Sequence, residues 1–264
     1  LQDIAVCDKE DFRLDKVQQK YPDLTLYDNY LSALKGKPEA VFICTPPNVH
    51  TPILNAAVDA GCHVFCEKPI AMDISGLEKI KSKAEKKGLI VMIGYVYRFF
   101  EPVMKIKEII SSESLGKIYS ARTIVSQYLP DWHPQEDYRD FFLSHRNTGG
   151  GSLLEESHAI DYMRWFLGDV ESVYCTNRKL SDLEMDCENI SILNIEFQSG
   201  TLATIQLDLL GRVLRREAEF SCERGTVIWD GERGLVRIYK IDSNVWEEFQ
   251  LSIRPDAYVD EIQH

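Results

Sequence analysis

Short apolar runs alternate with helical patterns through the first third of the chain. The runs stand at 4–7, 24–26, 41–44, 63–66 and 89–93. Between them, apolar residues recur at the helical period over 10–20, over 51–60, and in a segment that Asp73 can cap and Gly88 can end. The longer runs are apolar throughout, which is typical of strands buried on both faces. This order therefore predicts a parallel sheet covered by helices on both sides.

The pattern changes after about residue 97, where strands become dominant. An amphipathic helix at 102–111 and a long strand at 118–127 precede an irregular, aromatic segment at 128–148. Three glycines at 149–151 introduce a helix over 153–167. From 171 onward, apolar and polar residues alternate in runs separated by turns, as in β-hairpins. These runs are 190–197, 202–209, 217–222, 226–229 and 236–241, with turns predicted at Ser199-Gly200, Arg224-Gly225 and Asp230-Gly231.

Taken together, the two patterns predict an α/β fold with two domains. The first, 1–97, is a Rossmann-like domain with a parallel sheet. The second, 98–264, is an α+β domain with a large open antiparallel sheet.

Net charge narrows the classes of partner. The chain has 264 residues, with 30 basic against 42 acidic side chains and a formal net charge of −12. That balance opposes binding of nucleic acid or anionic lipid by bulk charge. The longest apolar run, 89–97, is far shorter than the ~20 residues of a membrane-spanning helix. We therefore expect neither a nucleic-acid partner nor a membrane partner.

Cysteine usage indicates the compartment. The seven cysteines are odd in number and lie mostly inside apolar runs, which favours free thiols in a reducing cytoplasm over a disulfide framework. Cys62 and Cys66 lie near each other, but no second pair of Cys or His accompanies them. We therefore expect no metal site.

Polar residues follow several predicted strands at their carboxyl ends, where open parallel sheets bind ligands. Asp8 could bind both ribose hydroxyls of NAD and repel the extra phosphate of NADP, or it could simply cap the next turn. Lys68, in the sequence Glu67-Lys68-Pro69, could polarise a substrate hydroxyl and assist its deprotonation. The alternative for Lys68 is a surface lysine beside a glutamate.

A second group of polar residues lies within the predicted helix 153–167. Glu155, His158 and Asp161 are spaced by three residues, so they would share one face of that helix. A carboxylate beside an imidazole can exchange a proton with an alcohol. The alternative is a first turn made acidic to suit the helix dipole, with His158 as a packed residue.

The irregular segment holds further candidates for ligand contact. Its aromatic and basic side chains include Trp132, His133 and Arg139. Aromatic faces could pack against the C–H groups of a polyol, with the arginine at a hydroxyl or carboxylate. These residues could equally be anchors of the loop.

Six segments stand in the order that is typical of one enzyme family. They are 5–8, 44–50, 67–69, 94–99, 115–118 and 149–161. Through them the chain resembles the glucose–fructose oxidoreductase/inositol dehydrogenase family, abbreviated Gfo/Idh/MocA. The threonine-proline and glutamate-lysine-proline segments are moderately specific by themselves, and the ordered set is strongly so.

The resemblance implies an NAD(P)-dependent oxidoreductase. Such an enzyme transfers a hydride between the cofactor and a secondary alcohol or ketone of a sugar, cyclitol or sugar derivative. Asp8 favours NAD, although Lys9 is close enough to accommodate the phosphate of NADP. The first domain would bind the dinucleotide, and the second would bind substrate and form a homodimer or homotetramer through its sheet.

The resemblance also implies roles for individual residues. Lys68 would orient and help to deprotonate the hydroxyl, His158 would be the general acid/base, and Glu155 would support it. The expected cofactor contacts are Asp8, Thr45, Pro46, Pro47, His50, Glu67, Lys68 and Arg98. The expected substrate contacts are Lys68, Trp132, His133, Arg139 and His158.

The chain departs from the family pattern at three points. The glycine fingerprint with its strand and helix would stand before residue 1, and 258–264 resembles only the start of the family's last long helix, so we expect a fragment. Glu155 stands where the family usually has aspartate, one methylene shorter. An alternative hypothesis is therefore a catalytically silent relative that acts as a nucleotide sensor or an oligomeric scaffold.

Overall fold

A computed structural model describes residues 3–252 and 256–264 of the chain. Contacts within the chain divide it into one unit that ends at Gly94 and a second that begins at Tyr95. The boundary expected from the sequence, between 97 and 98, lies in the 3₁₀ turn Val96–Phe99 near the start of the second unit. None of the helices in the described ranges is long and apolar enough to cross a membrane.

The first unit alternates strands and helices. Its strands are β1 (Ala5–Cys7), β2 (Thr25–Tyr27), β3 (Ala40–Ile43), β4 (His63–Glu67) and β5 (Val91–Gly94). Its helices are α1 (Asp11–Lys20), α2 (Tyr30–Leu34), α3 (His50–Ala60) and α4 (Leu77–Lys87). Every strand pairing in it is parallel, as predicted. The strands of this unit form two sheets, one of β1 and β2 and the other of β3, β4 and β5.

Helices α3 and α4 bury apolar residues in a core that they share with β3 and β4. Leu54, Val58 and Ile80 belong to this cluster. Helix α3 ends at Gly61, whose φ of 86° lies in the left-handed region that glycine adopts without strain. Asp73 does not cap α4 as predicted. Its carboxylate instead accepts a bond from the Ser75 amide at 2.7 Å, and this local turn delays the helix until Leu77.

The second unit is built on one large sheet. Its strands are β6 (Ile118–Ser126), β7 (Val170–Arg178), β8 (Ile190–Phe197), β9 (Leu202–Asp208), β10 (Arg215–Cys222), β11 (Gly225–Asp230), β12 (Leu235–Lys240) and β13 (Val245–Gln250). Its helices are α5 (Glu101–Ser111), α6 (Leu129–Trp132), α7 (Ser152–Glu155), α8 (Ser157–Leu167) and α9 (Ala257–Gln263). The sequence pattern did not single out β13.

The eight strands lie in the order β13-β12-β11-β10-β6-β9-β8-β7. All neighbours are antiparallel except β6 and β9, which run parallel. The turn predicted at Ser199-Gly200 joins β8 to β9, and Gly200 there has a φ of 79°. The turn predicted at Arg224-Gly225 lies one residue earlier, because Gly225 already pairs with Cys222.

The two faces of this sheet differ in burial. Residues on β8 and β9 alternate between buried and accessible, as expected for a sheet covered on one side. The buried face packs with α5 and α8 into one core that includes Phe220, Ile205 and Tyr162. The accessible face carries exposed apolar side chains such as Tyr174 and Leu202.

Replacement of Phe220 by alanine tests this core. Phe220 is fully buried and its ring meets the ring of Phe166 at 5.7 Å. We expect Phe220→Ala to lower the free energy of unfolding by about 3–5 kcal/mol, because a cavity remains in the core. Urea unfolding followed by tryptophan fluorescence measures the loss. The control is Tyr119→Ala, because the Tyr119 side chain near the start of β6 is 53% exposed. An equal loss in both variants would contradict the assignment of the core.

Candidate functional site

Asp8 follows β1 directly and its carboxylate shapes the turn into α1. It accepts a hydrogen bond from the Glu10 amide at 2.9 Å and lies 3.6 Å from the guanidinium of Arg13. The Asp8 side chain is 29% exposed, so its carboxylate is accessible from solvent in spite of these contacts within the turn. The geometry fits the interpretation of Asp8 as a turn residue, and its contact with a ribose remains a prediction.

His50 is fully buried at the start of α3 and joins two loops. Its Nδ1 lies 2.8 Å from the carbonyl oxygen of Pro69, and its Nε2 lies 2.7 Å from the carbonyl oxygen of Thr45. Carbonyl oxygens only accept hydrogen bonds, so the imidazole is the donor in any bond to them, and its tautomer decides which ring nitrogen carries the hydrogen. The loop after β3 is thereby tied to the loop after β4. Thr45 and Pro46 stay exposed in this arrangement, whereas Pro47 is buried.

Lys68 immediately follows β4 and is partly exposed. The carboxylate of Glu67 accepts a bond from the Lys68 amide at 3.2 Å. Across the sheet, Glu67 pairs with Gly94, where an added Cβ would come within 3.0 Å of the Phe65 ring and 3.1 Å of the Glu67 carboxylate. Because Gly94 has no side chain, the Glu67 carboxylate has room to lie next to it, beside Lys68.

The predicted single helix over 153–167 is in fact two helices. Helix α7 ends at Glu155 and α8 begins at Ser157, because Glu156 has a φ of −90° and a ψ of 23°. Glu155 and His158 therefore do not share one continuous helical face, which corrects the spacing argument. His158 and Asp161 do lie one turn apart on α8.

The glycines before α7 allow a close approach of backbone and side chains. A Cβ on Gly150 would lie 2.3 Å from the carbonyl oxygen of Leu143, and one on Gly151 would lie 2.3 Å from the carboxylate of Glu188. Gly151 also has a φ of 110°. Larger residues would displace the start of α7, and with it the helix pair that carries Glu155 and His158.

His158 lies among aromatic rings of the second unit and is only 9% exposed. Its imidazole stacks on the ring of Tyr97, with 4.4 Å between centroids and 7° between planes. Tyr95 meets the imidazole edge-on, with its centroid at 5.7 Å and an interplanar angle of 78°. Burial raises the pKa of both tyrosines, so both phenols stay protonated. The segment 95–98 was expected at the carboxyl end of a strand, but the sequence pattern assigned neither tyrosine a role beside His158.

Arg98 makes its polar contacts with Asp161 within the second unit. Its Nε and one terminal nitrogen each donate to a different carboxylate oxygen at 2.7 Å, a bidentate pair. The guanidinium also lies 5.2 Å from the ring centroid of Trp165. The structure thus gives Asp161 a cationic partner, and the expected contact of Arg98 with a cofactor stays a prediction.

The candidate substrate residues of the irregular segment pack mainly with one another. The rings of Trp132 and His133 are parallel at 6.4 Å, and His133 stacks on Phe141 at 4.8 Å. Arg139 is bonded to the carboxylates of Asp137 and Glu184. Its hydrogen bonds lower the pKa of Asp137 to about 2. Trp132 and His133 are thus brought together, while Arg139 belongs to a separate ion-pair network.

The described part of the chain was expected to hold no metal site, and its potential ligands are dispersed. Across residues 3–252 and 256–264, no three His, Cys, Asp or Glu side chains are grouped so that they could hold a metal ion. All seven cysteines are free thiols.

The contact between His50 and the two loops can be tested by substitution. His50→Leu would leave the Pro69 carbonyl facing an apolar side chain, and we expect the free energy of unfolding to fall by about 1–3 kcal/mol. Urea unfolding followed by far-ultraviolet circular dichroism measures the change. The matched control is His63→Leu, because the His63 side chain is exposed and water can replace its bond to the Ile90 amide. Similar losses in both variants would contradict the role of His50.

Named relatives of the chain are mostly sugar and cyclitol dehydrogenases. A D-xylose 1-dehydrogenase (NADP(+)) of Haloferax volcanii is 28% identical over 76% of this chain and 60% of its own length. A D-glucoside 3-dehydrogenase of Escherichia coli is 29% identical over 62% of this chain and 46% of its own length. A myo-inositol 2-dehydrogenase of Thermotoga maritima is 25% identical over 98% of this chain and 78% of its own length. The chain therefore spans only about half to three quarters of these relatives.

Solved structures share the fold at lower identity. A levoglucosan dehydrogenase in complex with NADH and levoglucosan superposes with a TM-score of 0.82 and 19% identity, over 94% of this chain and 70% of that one. The WlbA dehydrogenase of Bordetella pertussis, in complex with NADH and UDP-GlcNAcA, has a TM-score of 0.79 and 19% identity, over 98% and 74%. These likenesses confirm the predicted fold class.

Two family models match the chain in consecutive positions. Residues 2–95 match the model described as "Oxidoreductase family, NAD-binding Rossmann fold", and residues 103–228 match the "GFO/IDH/MocA C-terminal domain". The matches cover both units, and they agree with the ordered segments found in the sequence. The chain belongs to the Gfo/Idh/MocA family of oxidoreductases.

Proposed function

We propose that the protein is an NAD(P)-dependent oxidoreductase of sugars, cyclitols or their derivatives. It interconverts a secondary alcohol and the corresponding ketone. The observation that carries the proposal is Lys68, which stands partly exposed at the carboxyl end of β4 in a chain whose two units match the two domains of this family. The same end of a parallel strand is where open sheets of this class bind their ligands.

The first unit is proposed to bind the dinucleotide. Its candidate residues fit such a ligand, because Thr45 and Pro46 are exposed and Asp8 and Glu67 partly exposed, all directly after or at the end of parallel strands. Pro47 and His50 are buried, so we propose that they shape the loop that Thr45 presents. When bound, the nicotinamide would accept or return the hydride. The carboxylate of Asp8 would favour NAD. NADP stays an alternative cofactor, because one relative is a D-xylose 1-dehydrogenase (NADP(+)).

Lys68, His158 and Glu155 are the residues proposed to exchange the substrate proton. The ammonium group of Lys68 would polarise the substrate hydroxyl and lower the cost of removing its proton. His158 would take that proton in oxidation and return it in reduction, with the carboxylate of Glu155 in support. The alternative of a catalytically silent relative is not favoured, since the named relatives are dehydrogenases.

The second unit is proposed to bind the substrate and a second copy of the chain. The rings of Trp132 and His133 would pack against the apolar C–H face of a sugar, and Arg139 would lie beside its hydroxyls. The accessible sheet face, with Tyr174 and Leu202, would form the contact in a homodimer or homotetramer.

A cytoplasmic location agrees with the state of the cysteines. All seven thiols are free, and burial raises the pKa of Cys66 to about 12, which keeps this thiol protonated and unreactive. Free thiols in this number are typical of a reducing compartment.

Titration with NADH and then with NADPH tests the cofactor proposal. We expect saturable binding of both, with NADH bound more tightly, because the Asp8 carboxylate would repel the extra phosphate of NADPH. Nucleotide fluorescence measures both dissociation constants. Asp8→Asn should bring the dissociation constants of NADH and NADPH closer together. Asp15→Asn, at an exposed position of α1, should leave their ratio unchanged. The cofactor proposal fails if neither nucleotide saturates the protein.

Turnover of Lys68→Met tests the proposed chemistry. Methionine keeps the length of the side chain but removes its charge, so we expect turnover to fall about 10²- to 10⁴-fold while NADH binding persists. The assay follows NADH absorbance with a panel that includes D-xylose and myo-inositol. Lys86→Met on the exposed side of α4 is the matched control. Undiminished turnover in Lys68→Met would overturn the role of this lysine.

A further inference from the structure

We propose that Tyr97 is a positioning residue that holds the imidazole of His158 in its working orientation. The inference rests on the proposed function, in which His158 exchanges the substrate proton. It assigns to Tyr97 no contact with substrate or cofactor.

The contact between the two rings is close and nearly parallel. The centroids of Tyr97 and His158 are 4.4 Å apart and their planes differ by 7°. At this distance the rings are in van der Waals contact, so a tilt of the imidazole toward Tyr97 would make a clash and a tilt away would lose the contact. Tyr95 meets the imidazole edge-on at an interplanar angle of 78° and limits its movement from a second direction.

Tyr97 is itself held firmly. Its ring is only 8% exposed and also stacks on Phe100, with centroids 4.5 Å apart and 25° between planes. It lies in the 3₁₀ turn Val96–Phe99, and α9 and α5 both pack against this turn. The imidazole therefore stacks on a ring whose own movement is restricted by packing. A solvent-exposed side chain of a loop would be too mobile to fix its orientation.

The orientation of the imidazole matters because both ring nitrogens lie in its plane. Fixing that plane fixes the directions along which His158 can give or take a proton. Proton transfer depends steeply on such alignment, whereas substrate affinity does not. A loss of the Tyr97 ring should therefore lower kcat and leave KM nearly constant.

Tyr97→Leu and Tyr97→Phe form the test, with Phe166→Leu as the matched control. Leucine removes the stacked ring, and we expect kcat to fall about 10- to 100-fold with KM changed by less than about twofold. Phenylalanine keeps the ring and should restore most of kcat. Phe166 is a buried aromatic residue of α8 whose ring contacts those of Tyr162, Trp165 and Phe220. Its replacement should lower stability by a similar amount and spare kcat.

Nuclear magnetic resonance supplies a readout that needs no turnover. A ring stacked on a phenol experiences its ring current, so the carbon-bound protons of His158 should be shifted upfield in the wild type and in Tyr97→Phe. That shift should vanish in Tyr97→Leu and persist in Phe166→Leu. His158→Asn identifies the resonances, because they disappear in that variant.

The outcomes separate the inference from the proposed function. If His158→Asn keeps full turnover, the proposed role of His158 is wrong and the inference falls with it. If His158→Asn is inactive but Tyr97→Leu retains its kcat, the positioning role alone is overturned. If Tyr97→Leu and Phe166→Leu lose kcat equally, Tyr97 acts only through stability and the inference is wrong. If no substrate in the panel is turned over, the His158 shift decides between a held and a free ring.

Discussion

Burial of α8 against the eight-stranded sheet is the constraint on which the candidate site of the second unit depends. Ala159, Tyr162 and Met163 are fully buried, and the hydroxyls of Tyr162 and Thr123 are hydrogen-bonded inside the core. Full burial of a side chain such as Met163 contributes about 1.5–3 kcal/mol of hydrophobic stabilisation. Because α8 is fixed along its length, the residue at its second position, His158, has a fixed backbone. The aromatic rings of 95–100 then need to orient only the side chain.

In the first unit the comparable constraint is hydrogen bonding between loops. Strand ends alone would leave the segments after β3 and β4 free to move independently, since neither is part of a ladder. The buried imidazole of His50 joins their carbonyl oxygens, and Gly94 gives the neighbouring Glu67 carboxylate its space. A buried polar group that loses its hydrogen-bond partner raises the free energy of the folded state. These contacts therefore stabilise one conformation of the loop that carries Lys68.

The sequence was sufficient for the elements whose pattern is local. The apolar runs at 41–44 and 63–66 are strands, and Gly61 ends a helix, because period and turn chemistry act over a few residues. Features that depend on distant partners were missed. The apolar spacing over 153–167 gives no sign of the break at Glu156. The stack of Tyr97 on His158 joins residues far apart in the chain, so no local pattern predicts it. The family resemblance assigned His50 to cofactor contact, which stays a prediction. Its contact with Pro69 could not be predicted, because residue spacing does not show which loops lie together.

The parallel pairing of β6 with β9 has a consequence for the order of assembly. Ser126 at the end of β6 bonds to Asp208 across 82 residues, and Arg122 bonds to Glu219 of β10 across 97. The strands on either side of β6 form hairpins with near neighbours, which close quickly because their loops are short. The central strand has no such neighbour. Pairing of β6 with β9 and β10 closes the longest loops of this sheet, so we expect docking of the two local β-meanders onto β6 to be the slowest step in the folding of this unit.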